Sequence, residues 1–419
     1  LDAPDRRLDR LGPVVTRCVL IADVWAPEHA TAAAAMMESL ALALQDAGHA
    51  VIAVTPGERT TARPTLDRSG VVPVLRAPAA RAKGRRLWWR GLAEASWPFA
   101  LARAWRAADL DDFAPQAVIW YSPSIFLGAF AGWLKRRHGA ATYLILRDLF
   151  PDWAVEAGIL SPGPVLAGLQ AVADHQCRMA DVIGAQTAGD VERVRRAHPA
   201  ARVEVLGPWM ASPADPPAPA DDPAPREPVS REPTFVCGGA LGPAQDLAAL
   251  LNLAEALEAW PAARLRVLAQ GEGAARLRAE GAARGLRRLS VEPIVSPEAF
   301  HALLRTATAG VVSLHPAVTT GNLPGRLIAH CAAGVPTLAF APAGSAVDGL
   351  IRETGAGLTV QAGDGAGLRA ALARLIDAPA KRARMGRAAR AAMARFSPEA
   401  AAERILRALA DARPDAISA

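Results

Sequence analysis

An arginine just inside a helix that starts from a glycine-bearing loop is built to hold an anion. Residues 319–336 read TTGNLPGRLIAHCAAGVP. The run VVSLHP reads as a strand ending at about Leu314, and LPGRLIAHCAAG as a short helix with Pro324 near its first position. The loop between them therefore falls at the carboxyl edge of a sheet, where the free N–H groups of a helix start meet a ligand. Gly321 and Gly325 allow close backbone approach, Asn322 and Leu323 lie between them, and Arg326 adds a fixed charge for a phosphate oxygen. A second such loop, GGALGPAQD, follows a strand ending at Cys237 and carries Gly238, Gly239 and Gly242 ahead of a helix starting near Asp246. Each loop alone is an ordinary glycine connector. Two in one domain, aimed at one cleft, point to a nucleoside diphosphate.

The amino-terminal half carries different chemistry. In RDLFPD, Arg147, Asp148 and Asp152 stand beyond a strand end. Asp148 can accept a proton or orient an acceptor hydroxyl; a carboxylate that only caps a turn would read the same. Glu28 and His29, in the first strand-to-helix loop, either line the same side or form a solvated loop. The acidic DLDD at 109–112 follows a helix rather than a strand, so it reads as a solvated helix end and not a metal site. Cys18, Cys177, Cys237 and Cys331 are scattered without a C-x-x-C pair, which suits small apolar core positions in a reducing cytosol. No resident metal or cofactor is expected.

Alternating elements must position these loops. RCVLIADV and AVIAVT read as strands around a helix from about Thr31 to DAGH, where Gly48 supplies a left-handed cap. Further strands are expected at Val71–Leu75, Ala117–Tyr121, Thr142–Leu146, Asp181–Ala185 and Val203–Leu206. After the proline-rich stretch Ser212–Pro233 the alternation restarts at Thr234–Cys237, Leu265–Ala269, Leu289–Val291, Gly310–Leu314, Thr337–Phe340 and Leu358–Val360. Ser296 and Ser397, each followed by Pro, mark helix starts. The expected fold class is α/β, with two doubly wound Rossmann-like domains in tandem and a cleft between them. The divisions fall at 1–16 (tail), 17–211 (first domain), 212–233 (linker), 234–395 (second domain) and 396–419 (C-terminal helix).

Several classes are excluded. No G-x-x-x-x-G-K-[ST] is present, and the loop after the first strand, ADVWAPEHATAAAA, contains no glycine, so neither a P-loop ATPase nor a nicotinamide dehydrogenase fits. A net charge of +6 permits an anionic partner without identifying one. No RNP, KH or zinc signature supports nucleic-acid binding. The apolar run Ala117–Leu134 is cut by Ser122, Pro123 and Ser124, so neither half spans a bilayer, and no secretory signal is expected.

The chain resembles family 4 glycosyltransferases of the two-Rossmann (GT-B) fold, in order along nearly its whole length. WAPEHATAAAAMMESLALALQDAGHAVIAVT resembles the family's opening, and LILRDLFPDWAVEAGIL resembles the RDLWPE…G.L segment of its bacterial exopolysaccharide, capsule and O-antigen branch. GGALGPAQDL, VLAQGEGAARLRAEGAARGL and LPGRLIAHCAAGVPTLA resemble GN.G.AQ.L, the stretch around G.GP, and VPSKL.EYMA.GKPV.A. The resemblance implies transfer of a sugar from a nucleoside-diphosphate donor to an acceptor hydroxyl, with retention and without a metal. It places the donor on the second domain, at Gly239, Gly242, Gly321, Asn322, Leu323, Gly325 and Arg326. It places the acceptor on the first, where Glu28, His29, Arg147 and Asp152 are the candidate acceptor-side residues, and Asp148 and Arg326 are the candidate catalytic residues.

Departures from that pattern are specific. The branch's Glu in L.EY is Ala329 here, a second family Glu falls on Gly321, the GN.G asparagine is Ala240, and PNW.D reads GPWMA from Gly207 to Ala211. Either the donor is held differently or donor binding has been lost, leaving a scaffold in a polysaccharide assembly complex. The stretch 81–106 interleaves basic residues with Trp88, Trp89, Trp97, Phe99 and Trp105. With Arg85, Arg86 and Arg90 beside the first two tryptophans, it suits an anionic membrane surface and a lipid-linked glycan acceptor, although Pro98 is expected to break the helix. The implied location is cytoplasmic, at the inner face of the cytoplasmic membrane.

Overall fold

The computed structural model describes residues 15–25, 31–57, 63–80, 87–156, 160–210, 232–242, 244–316 and 323–417. The chain divides into unit 1, Leu1–Gly207 with Pro398–Ala419, and unit 2, Pro208–Ser397.

Unit 1 opens with β1 (Arg17–Ile21), α1 (Ala32–Asp46), β2 (Ala50–Gly57), β3 (Thr65–Asp67) and β4 (Val74–Pro78). It continues with α2 (Leu87–Ala107), β5 (Ala117–Ser122), α3 (Leu127–His138) and β6 (Ala141–Leu146). Then come α4 (Asp152–Glu156), α5 (Pro164–Met179), β7 (Val182–Ala185), α6 (Ala188–Ala197) and β8 (Val203–Val205). The sheet order is β3-β4-β2-β1-β5-β6-β7-β8, parallel except for the β3–β4 edge pair. Strands β5 and β6 are buried at every position, as a sheet covered on both faces demands. Trp105, Trp120 and Phe130 fill the core beneath them.

Unit 2 begins with β9 (Thr234–Gly238), α7 (Leu247–Ala256), β10 (Arg264–Leu268), α8 (Glu272–Ala283), β11 (Leu289–Glu292) and α9 (Pro297–Arg305). Next are β12 (Ala309–Ser313), α10 (Gly325–Ala333), β13 (Thr337–Phe340), α11 (Ala346–Thr354), β14 (Gly357–Val360), α12 (Gly365–Ile376) and α13 (Pro379–Ala392). All pairs in its sheet, β11-β10-β9-β12-β13-β14, are parallel. The chain then returns to unit 1 as α14 (Pro398–Ala412) and α15 (Pro414–Ile417), where α14 packs on α1, β6 and β7. Arg404 Nη1 donates to Val205 O across 2.8 Å, fixing α14 beside the last strand.

Local sequence explains most boundaries. Thr31, Thr187, Asp246, Ser296, Ser345 and Asp364 each cap a helix by accepting from the amide three residues on. Gly48 has φ 89°, the left-handed region that ends the α1 segment.

Three expectations are corrected. The strand expected at Val71–Leu75 lies at Val74–Pro78, because the residues that pair with β2 start at Val74. The short antiparallel β3 was not expected. Helix α2 runs through Pro98 instead of breaking there. Ala93 and Trp97 on one side of the proline and Leu101, Ala104 and Trp105 on the other are all buried. Packing of that stripe outweighs the roughly 3 kcal/mol that an internal proline costs a helix.

Candidate functional site

In a doubly wound sheet the loops on either side of the point where strand order reverses diverge and leave a crevice. In unit 2 that point lies between β9 and β12. The two loops flagged by their glycines are the two that flank it. Among the described residues three bonds join them. Ser313 Oγ donates to Asp246 O at 2.5 Å, the His315 amide donates to Ala244 O at 2.9 Å, and Arg326 Nη2 donates to Ala240 O at 3.1 Å. Arg326 Nη1 also approaches Cys237 Sγ, at 3.6 Å.

Arg326 is thus half-buried and laid across the crevice rather than extended into solvent. Gly239 has φ 103°, and a Cβ there would stand 3.8 Å from Arg326 Nη2. Its own amide is engaged by Leu268 O at 3.0 Å, and the Gly242 amide by Gln245 Oε1 at 2.8 Å. These two glycines therefore shape the loop. The start of α10 differs: Pro324 holds the N-cap position and, among the described residues, no side chain caps the first amides. Gly325 is exposed, and the Leu327 amide is engaged by Pro324 O at 2.9 Å, so a ligand at this helix start would meet the amides of Gly325 and Arg326. Leu323 is half-buried and packs toward Leu314 and Leu327, which anchors the loop's end. Gly321 and Asn322 lie outside the described residues.

Two buried neighbours leave Arg326 as the local charge. Burial raises the Cys237 thiol against the opposing pull of Arg326, so it stays protonated. Burial, reinforced by the Arg326 charge, lowers His330 to about 3, so its imidazole is neutral. Ala329 is half-buried against the cluster that includes Phe300 and Leu303.

In unit 1, Arg147 and Asp148 follow β6, and both act electrostatically on Tyr121. Arg147 hydrogen-bonds Tyr121 at the end of β5, next to the switch point between β1 and β5. Burial pushes the Tyr121 hydroxyl up to about 12, against the pull of Arg147, and lowers the Arg147 guanidinium. Asp148 and Asp152 line one pocket of about 360 Å³, with Gln170, Asp174, Arg193 and His198 among its walls. The Asp148 residue is exposed, yet the crowding around its carboxyl raises its pKa, with Arg147 opposing. Glu28 and His29 lie outside the described residues. Tyr121, Ser313 and His315 were missed by sequence reasoning; the signal available for each was a polar residue at or just past the carboxyl end of a buried strand.

The remaining candidates resolve into structural roles or fall out of view. Asp111 of DLDD accepts from Trp105 Nε1 at 3.1 Å and from Arg137 Nε at 2.7 Å, a link between α2 and α3. All four cysteines are buried and free. Among the described residues no three His, Cys, Asp or Glu side chains gather as metal ligands. Trp97 and Trp105 are core residues, which removes them from the expected membrane face, whereas Trp89 is 42% exposed. Arg90 Nε bonds Glu94 Oε1 at 2.6 Å. Arg85, Arg86 and the side chain of Trp88 lie outside the described residues, and no described helix is long and apolar enough to cross a membrane.

Comparison with known proteins bears on this arrangement. Residues 31–209 match the glycosyl transferase 4-like domain. The Thermosynechococcus elongatus sucrose-phosphate synthase structure is similar with a TM-score of 0.64 and 16% identity, covering 92% of this chain and 96% of that one. The catalytic domain of Arabidopsis thaliana starch synthase IV, bound to ADP and acarbose, gives 0.65 and 13%, covering 97% and 100%. Anabaena HepE, in complex with UDP and glucose, gives 0.62 and 14%, covering 94% and 99%. No curated protein sequence matches the chain. At these identities the structural likeness is one of fold: two parallel-sheet Rossmann-like units, as in GT-B proteins.

Proposed function

We propose that this chain, whose first unit carries a glycosyl transferase 4-like domain on a GT-B fold, is a glycosyltransferase using a nucleoside-diphosphate sugar. The observation that carries the reading is Arg326, bonded to Ala240 O beside the start of α10, whose N-cap is Pro324, at the switch point of unit 2. As the bond from the anomeric carbon to the diphosphate breaks, negative charge grows on the leaving oxygens. A guanidinium and helix-start amides already in place stabilise that charge with little reorganisation. In this reading they do so without a metal ion.

On unit 1, Asp148 orients the acceptor hydroxyl or takes its proton, and its raised pKa suits that task. The finer reading follows the RDLFPD resemblance. The configuration is retained, the donor sugar is a hexose or deoxyhexose, the acceptor is a lipid-linked glycan, and the product is a bacterial cell-surface polysaccharide. The enzyme works peripherally at the inner face of the cytoplasmic membrane. A nucleotide lacking a ribose hydroxyl suits Ala329, since it loses less without the carboxylate that relatives carry there.

Ala329 and Ala240 favour one other reading, a scaffold that kept the fold and lost the donor. Calorimetry of the full chain with UDP, ADP, GDP and dTDP, followed by turnover with the matching sugar donors, separates the two. Binding at micromolar level with turnover supports the enzyme; silence with every nucleotide removes it.

A further inference from the structure

Unit 1 carries a second concavity, of about 470 Å³, between α2, α3 and α5 and apart from the Asp148 pocket. Phe99 and Ala102 from α2, Ala129 and Trp133 from α3, and Ala171 and Val172 from α5 form its walls. Its depth comes from alanines standing where larger side chains would close the space. Apart from the Trp133 indole, the polar side chains lining it among the described residues are Arg136 and His175. Such a wall offers almost nothing to a sugar or a nucleotide, whose many polar groups would be buried unpaired. Its volume is that of a small-molecule site, too small for a partner helix about 10–12 Å across. A thin apolar chain fits.

The rim sets the sign of the rest of the ligand. Among the described residues the lining has two basic residues, Arg136 and His175, and no acidic one. Arg106 lies over the Trp133 ring, 4.9 Å from its centroid, and brings further positive charge to one wall, while Arg137, 5.6 Å from the same centroid, is paired with Asp111. Trp89, Leu92 and Phe99, spaced three and seven residues apart along α2, are 42%, 63% and 79% exposed. This apolar stripe runs along the helix that forms one wall, a face suited to meeting a lipid surface.

We infer that the groove between α2, α3 and α5 takes up the hydrocarbon chain of an anionic membrane lipid, with the head group held by Arg136 and His175. The inference deepens the lipid-linked acceptor reading by naming where the chain is held. Uptake of a single chain differs from adsorption on a bilayer, because the chain is held in a defined slot that one bulky residue closes.

The test uses the full chain and decyl phosphate below its micelle-forming concentration, with inorganic phosphate and decyl maltoside as comparison ligands, read by calorimetry. Decyl phosphate is expected to bind with micromolar affinity, and each comparison ligand at least about tenfold more weakly. Ala171→Trp fills the groove from an exposed position, and Arg136→Glu reverses the rim; each is expected to weaken decyl phosphate by at least about tenfold with an unchanged thermal melt. If Ala171→Trp does not fold, Phe99→Asp at the exposed lip takes its place. No heat with decyl phosphate, equal binding of decyl maltoside or inorganic phosphate, or wild-type affinity in a folded groove-filled variant overturns the inference. Binding to anionic vesicles without binding to the monomeric ligand overturns it too, in favour of surface adsorption. No nucleotide or turnover enters the measurement, so its failure leaves the transferase reading intact, and the reverse holds.

Discussion

His330 Nδ1 lies 3.1 Å from Thr337 Oγ1, one helical turn behind Arg326, with its ring against Gly310. The ring is fully buried, and Nε2 has no hydrogen-bond partner among the described residues. With the folded pKa lowered to about 3 from 6.5, the unfolded chain binds a proton between those values that the folded chain refuses. Stability from this group is therefore complete above pH 6.5 and is lost progressively as pH falls toward 3. His330→Met should flatten the acid limb of a melting-temperature profile. An unchanged slope between pH 7 and 4 would count against the assignment.

Gly310 leaves room for that ring. A Cβ at 310 would overlap the imidazole, so Gly310→Ala is expected to cost about 1–3 kcal/mol. Adding His330→Ala should return part of the loss, a coupling that a double-mutant cycle measures.

Arg326→Ala should weaken nucleoside-diphosphate binding by about tenfold or more, and Arg326→Lys should restore only part, since a single ammonium cannot reproduce the guanidinium's bonds to Ala240 and Cys237. Calorimetry checks this. Equal affinities in all three proteins would move the diphosphate elsewhere.

Asp148→Asn should lower kcat by roughly 10²–10⁴-fold if the carboxylate takes the proton. Nucleotide affinity and thermal melt should stay near wild type, because the residue is exposed and belongs to the other unit. Because crowding raises its pKa, activity should fall on acidification at a higher pH than an ordinary carboxylate predicts, and the Asn variant should lack that limb. Wild-type turnover in the variant leaves Asp148 a structural role.

Ala329→Glu introduces the carboxylate that the L.EY pattern of the resembled family has in this slot. Ribonucleoside diphosphates should bind several-fold tighter while their deoxy counterparts change little. A matched change in both would point to general electrostatics, and a lowered melt would show that the half-buried setting beside Phe300 resists the charge.

Strands buried on both faces, such as Ala117–Ser122 and Ala141–Leu146, were legible because a parallel sheet needs unbroken apolar runs. The edge strand Thr65–Asp67 was not, since three residues with one edge partner leave no periodicity to read. Pro98 misled for a related reason: local propensity carries no record of Trp97 and Trp105 packing on either side of it. The glycine loops of unit 2 could be found in the sequence, but not that Leu268 and Gln245 engage the amides of Gly239 and Gly242, because such bonds depend on neighbouring strands and exact loop turns. That Arg147 bonds Tyr121 from a neighbouring strand, while Asp148 lines a pocket with residues of α5 and α6, likewise needs three dimensions.

The seating of α14 on the first unit should let the protein survive a cut between its two units. A backbone nick anywhere in 211–231 would separate the amino-terminal fragment from the rest covalently. The carboxyl fragment would still end in a helix seated on α1, β6 and β7, with Arg404 clasping Val205. The two pieces should co-elute, and the protein lends itself to being expressed as complementing halves.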